Sequence, residues 1–195
     1  MIRIAATILV LVGTTLDAMA ADTPLIDARD SRGRTALLIA TQNNDVEAAR
    51  RLIAAGANVN AQDDLLDTPF LYAAAEGRLE ILRMTLAAGA DLASRNRYGG
   101  TGLIPAAHHG HVEVVRELLK TSIAVDHVNR LGWTALLEAI ILGDGGAPHT
   151  EIVRLLVAAG ANVNLADSQG VSPLTHARQR GFLQIVNILE RAGAN

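Results

Sequence analysis

A period of 33 residues constrains this chain more than any other feature of it. Thr35, Thr68, Thr101 and Thr134 stand 33 apart, and Ser172 follows after 38. Gly56, Gly89, Ser122, Gly160 and Gly193 form an independent series with spacings of 33, 33, 38 and 33. Both series carry the same five extra residues across the fourth unit, so one insertion accounts for both. A period of this length means that one supersecondary unit is repeated, and that each copy buries its apolar face against the next. The units run 30–62, 63–95, 96–128, 129–166 and 167–195, with a short lead-in at 21–29.

Within a unit the residues spell two short helices and a turn, so the fold class is all-α. The recurring Thr or Ser is placed to cap the first helix, its hydroxyl accepting from a backbone N–H that has no partner inside the helix. Pro69 and Pro173 follow at the first helical position, where a missing N–H costs little. In the second helix, sets such as Leu79/Ile81/Leu82/Leu86 and Val112/Val114/Val115/Leu118/Leu119 fall on one face. Glu47, Glu80, Glu113 and Glu151 share a solvent-side position. The recurring glycine ends the second helix in left-handed backbone, and Ser122 predicts a less comfortable end in unit three. Pro105, in the first turn of that unit, removes a backbone hydrogen bond.

The stretches "GRTALLIATQNNDVEAARRLIAAGANVNA" and "GWTALLEAI…TEIVRLLVAAGANVNL" resemble ankyrin repeats, and the resemblance extends from Leu25 to Asn195. The wording "GGTGLIPAAHHGHVEVV" is similar to a group of exported bacterial ankyrin repeat proteins. The chain departs from the family motif where a histidine is usual, with Leu38, Leu71, Ile104, Leu137 and Thr175 in its place. The ends look like caps: Leu25–Ala28 matches the hairpin tail of a preceding unit, and Glu190 makes the last outer face polar. The resemblance implies a five-unit solenoid that binds a protein partner through a concave surface of hairpin tips and first helices.

Residues 1–20 read as a secretory signal. Arg3 supplies positive charge, Ile4 to Leu16 is a mostly apolar run of thirteen residues, and Ala18-Met19-Ala20 has the small-x-small form of a cleavage site. A membrane-crossing helix needs about 20 residues, so no span is expected in the mature chain, which would begin at Ala21. The expected location is periplasmic or secreted, with a monomer the expected state.

Composition narrows the chemistry. With no cysteine the chain has neither disulfides nor a thiol nucleophile. A net charge of −3 argues against general nucleic-acid binding, which needs a basic face. No nucleophile elbow, zinc-protease helix, phosphate loop or dinucleotide fingerprint is present, so neither an enzyme nor a cofactor protein is expected. The carboxylates fall largely at surface positions of the repeat.

Mapped onto the implied concave surface, the candidate partner-binding residues of unit three are Arg95, Arg97, Tyr98, His108 and His109. Those of unit four are Arg130, Leu131, Trp133, Ile141 and Leu142. Tyr, Trp and Arg dominate binding hot spots, and Trp133 is the only tryptophan. Arg97 and Arg130 hold the same place in successive units, which predicts an arginine clamp for a carboxylate or phosphate. Acidic Asp63, Asp64 and Asp67 precede them on unit two, giving the surface a charge order.

Two other readings compete with a protein partner. A small ligand or metal would use Arg97, Tyr98, His108, Arg130 and Trp133, although His111 is the family's own histidine and leaves His108 and His109 a thin ligand set. A secreted effector acting in a host cell would carry the same signal. The insertion Gly143–His149, rich in glycine, is expected to lengthen the turn of unit four into a projecting loop.

Overall fold

In the first helix of each unit, capping and close packing act together. The computed structural model describes residues 25–195. Thr35, Thr68, Thr134 and Ser172 lie in extended backbone, and each hydroxyl accepts from the N–H three residues on. The helices so begun are α1 (Ala36–Gln42), α3 (Pro69–Ala75), α7 (Ala135–Ile141) and α9 (Pro173–Gln179). Unit three supplies α5 (Leu103–His108). The second helices are α2 (Val46–Ala54), α4 (Leu79–Ala87), α6 (Val112–Leu118), α8 (Ala147–Ala158) and α10 (Leu183–Arg191).

The helices stand in two rows. Each first helix packs on its own second helix and on the first helices of neighbouring units, and the second helices contact one another in sequence. Wedged on several sides, the first helices are buried almost all round: Phe70, Leu71, Ala73 and Ala74 in α3, and Leu136, Leu137, Ala139 and Ile140 in α7. Alanine at these places lets backbones approach closely, while leucine and isoleucine fill the space between units. The second helices bury one face only, as the spacing predicts, with Ile81/Leu82 and Val114/Val115/Leu118 inward.

A polar ladder ties the hairpins together. Asp27 accepts from the backbone N–H of Asn58, Asn60 from Asp91, Asp126 from Asn162, and Asn164 from Asn195, at 2.8–3.1 Å. Leu25–Ala28 thus serves the first unit as a preceding hairpin tail would. The equivalent residue of the remaining rung is Ala93, which has no side chain to reach Ala124.

Unit three departs from its neighbours at both ends of its helices. The expected Thr101 cap does not form: Gly102 takes the cap position in helical backbone (φ −58°, ψ −24°), and the Thr101 hydroxyl is buried without a partner. Pro105 is the cause. In the other units the residue four beyond the Thr or Ser donates its N–H to that residue's carbonyl, as Ile39 does to Thr35 and Tyr72 to Thr68. Proline has no N–H to give, so the Thr101 carbonyl accepts from Ile104 at 3.2 Å, and the turn tightens. At the other end, Gly56, Gly89, Gly160 and Gly193 sit at φ of 84° to 90°, whereas Ser122 does not enter that region. Helix α6 accordingly stops at Leu118, seven residues long against nine in α2 and α4.

The insertion in unit four is not a projecting loop. Ala147, Pro148 and His149 form the first turn of α8, which reaches 12 residues. Proline there meets the demands of a helix start. His149 Nε2 donates to the His108 carbonyl of unit three at 2.8 Å, and its Nδ1 lies 2.8 Å from Asp144 Oδ1 within the insertion. Arg180 of unit five donates to the Gly143 carbonyl at 2.8 Å. The extra residues therefore fasten unit four to both neighbours.

Leu118 is fully buried between stacked units. Leu118→Ala should lower the unfolding free energy by about 2–5 kcal/mol, measured by urea denaturation. A near-neutral result would mean that the units do not stack in this register.

Candidate functional site

Each hairpin tip is shaped by one side chain. The first Oδ of Asp30, Asp63, Asn96, Asn129 and Asp167 accepts from the backbone N–H groups two and four residues on, at 2.9–3.0 Å. Two donors on one oxygen fold the tip into the same turn in every unit. The Arg34 side chain first, and then the Arg34 and Arg32 backbone donors, hold the Asp30 carboxyl down at a pKa of about 2. The turn needs left-handed backbone at its fourth residue, which four units supply with glycine. Unit two places Leu66 there at φ 63°, a conformation costing a non-glycine residue about 1–2 kcal/mol.

Between the tips and first helices of units two to four lies a groove of about 360 Å³. Tyr72, Ile104, Pro105, Leu131 and Leu142 give it apolar walls. Its polar groups are Asp67, Glu76, Asn96, Arg97, Tyr98, His108, His109, Asn129 and Glu138.

Glu138 is the least expected of these. It occupies the fifth residue from the cap, where other units have Ile39, Tyr72, Pro105 and His176, and only 6% of it is exposed. Asn129, reaching down from its own tip, donates to Oε1 at 2.7 Å. Among the described residues no hydrogen bond reaches Oε2, and His108 Nδ1 stands 3.7 Å away. That contact is too long for a hydrogen bond. Nor is it an ion pair at neutral pH, because burial and then the neighbouring His109 and His149 push the His108 pKa down. Burial raises the Glu138 carboxyl above the ordinary glutamate value, against the opposing pull of Asn129 and His109.

On the opposite wall, burial raises the Asp67 pKa, and the charges of Asp63 and Glu76 add to that effect against the attraction of Arg97. Arg97 lies 3.6 Å from Asp67, with its guanidinium carbon 4.8 Å from the centre of the Tyr98 ring. The expected arginine clamp is not what the two side chains form. Arg97 faces Asp67, while Arg130 donates to the Arg97 backbone carbonyl at 3.0 Å, across the repeat boundary. Both guanidiniums are engaged because each tip carries carbonyls and carboxylates within reach of the next.

The groove brings together six of the ten candidate partner-binding residues: Arg97, Tyr98, His108, His109, Leu131 and Leu142. Arg130, Trp133 and Ile141 do not line it, Trp133 being half-buried with its backbone N–H on Asn129. Arg95 belongs to a different hollow, with Asp91, Ser122 and His127. His109 and His111 both turn to the Ala75 carbonyl of the preceding unit, at 2.6 and 3.1 Å. Among the described residues no three His, Asp or Glu side chains converge as metal ligands, and no helix is long and apolar enough to cross a membrane. The signal expected at residues 1–20 lies outside the described residues. Sequence reasoning placed Asp67 on this surface but missed Glu138, Tyr72 and Asn129. The clearest available sign was a lone charge inside the apolar run Leu136–Ile141.

The sequence profile described as ankyrin repeats (3 copies) matches residues 9–96 and 70–165. The crystal structure of an ankyrin repeat domain from Acinetobacter baumannii AYE is 60% identical, with a TM-score of 0.87 over 89% of either chain. A second ankyrin repeat protein of known structure, EF0377, is 42% identical, with a TM-score of 0.85 over 89% of this chain and 87% of that one. The ankyrin repeat protein YahD of Escherichia coli (strain K12) is 49% identical over 57 residues, which span 29% of this chain and 28% of YahD.

A buried carboxylate with one free oxygen costs stability while it is charged. Because its native pKa is raised, the cost is present above that value and fades as pH falls toward the ordinary glutamate value. Glu138→Gln should therefore raise the melting temperature at neutral pH by about 2–4 °C, the shift that ~1 kcal/mol produces in a domain of this size. The gain should shrink in acid; an equal gain at every pH would contradict a charged, poorly compensated Glu138.

Proposed function

We propose, from the premise that this chain belongs to the ankyrin repeat family, that it is an exported module which binds another protein through the concave face of its central units. The observation that carries this reading is the groove itself. Five apolar residues and a carboxylate with one unpaired oxygen, Glu138, meet on three successive units, and large side chains stay exposed at the rim. Such a surface costs stability in a free protein and is recovered when a partner covers it. The groove is open along the array, a shape suited to a segment of chain rather than to an enclosed substrate, and the reading includes no catalytic step.

Export rests on the composition of residues 1–20, and a periplasmic or secreted location follows from it. N-terminal sequencing of the protein recovered from a Gram-negative periplasm or medium should begin at Ala21. An intact Met1 in the cytoplasm would overturn export without touching the binding reading.

The binding reading is tested by crosslinking the tagged chain in cells and comparing it with Tyr98→Ala/Leu131→Ala and with Leu183→Ala, whose leucine is exposed far from the groove. The double variant should lose a defined protein that wild type and Leu183→Ala both capture. Retention of every captured protein by the folded double variant would place binding elsewhere.

A further inference from the structure

Two features of the groove together specify what kind of segment fits it. The first is a row of exposed apolar side chains on successive tips. Leu65, Tyr98 and Leu131 occupy the same tip position in units two, three and four, and are 54%, 51% and 48% exposed. The same position holds Arg32 in unit one and Gln169 in unit five, so the row has polar ends and an apolar middle. Leu66 extends it, in backbone that glycine would adopt without strain.

The second feature is the charge of the floor below this row. Three carboxylates line the groove: Glu138, Glu76 and Asp67. Against them stands Arg97, already set between Asp67 and the Tyr98 ring. The two groove histidines bring no lasting compensation, since His108 is kept neutral and His109 turns to the Ala75 carbonyl. Glu138, more than nine-tenths buried, offers Oε2 to the groove with no hydrogen bond among the described residues. An anionic ligand would meet repulsion here, and a neutral one would leave Oε2 unsatisfied.

We infer that the groove receives a lysine or arginine side chain from the docked segment, its head against Glu138 and flanking apolar side chains on Leu65, Tyr98 and Leu131. Long basic side chains suit this geometry because their stems pack on apolar walls while their heads reach a polar end. Here Tyr72, Ile104 and Pro105 supply the wall and Glu138 the end. The charge fixes register along the array, and the apolar row supplies area. This inference rests on the groove being a partner-docking face, and it specifies that partner as a basic segment with apolar flanks.

The test uses a random dodecapeptide display library panned on the full chain. The enriched peptides are then resynthesised and titrated against wild type, Glu138→Gln and Tyr98→Ala/Leu131→Ala, each checked for helicity. The expected result is a Lys or Arg flanked by apolar residues. Affinity should fall by about tenfold or more on Glu138→Gln, and equally when that Lys or Arg is replaced by norleucine. The norleucine arm needs only wild-type protein, so it decides the matter even where a variant misfolds. Peptides that lose affinity on Tyr98→Ala/Leu131→Ala but tolerate norleucine and Glu138→Gln would overturn the charge inference and leave the groove as a docking face. Peptides indifferent to both variants, or no enrichment at all, would overturn the groove and with it the inference.

Discussion

No unit of this chain can cover its own first helix; a neighbour has to do it. Helix α3 buries Phe70 and Leu71 together with Ala73 and Ala74, which lie on more than one face of a seven-residue helix. A helix that short has little stability by itself, so its structure is a consequence of stacking. The same dependence explains the hairpins, whose tips fold on Asp or Asn side chains and whose tails are pinned from one unit to the next. What the array requires everywhere is the same contact in the same register, and repetition in the sequence is how that requirement is met.

That requirement is why the fold was legible from residues alone. The Thr and Gly series mark the two places in each unit where the backbone must turn sharply, and both depend on local chemistry that one residue type satisfies. The insertion was misread for the opposite reason. Gly143 to Gly146 speak locally for a loop, but the role of the insertion is set by His108, 41 residues from His149, and by Arg180, 37 residues from Gly143. Composition cannot report such contacts.

The site was legible to a smaller extent. Tyr98, Leu131 and Leu142 could be placed because exposure follows from repeat position. The roles of Arg97 and Arg130 could not, since a clamp and a pair of separate cross-unit contacts require the same spacing. Glu138 illustrates a further limit. Its repeat position said that it faces inward, yet whether an inward glutamate is paired depends on Asn129, from the tip of the same unit, and on the protonation of His108, from the unit before.

The departures from the repeat pattern are not scattered. Pro105 disables a cap, Thr101 is left with a buried unpaired hydroxyl, Ser122 shortens α6, and Ala93 omits a rung of the hairpin ladder; all four lie in or at the edge of unit three. Leu66 and Glu138, which are strained or poorly compensated, stand on the units to either side. Pro105 and Glu138 line the groove, while Ala93, Thr101 and Ser122 border the hollow of Arg95, and local rules that fail together in adjoining units point to demands other than folding. A stacked array tolerates such concessions at its centre because units two and four still cover unit three from both sides, and because the added turn of α8 ties His149 to the carbonyl of His108. The insertion then has a structural meaning that its glycines concealed: it braces unit three at His108, a residue of the groove.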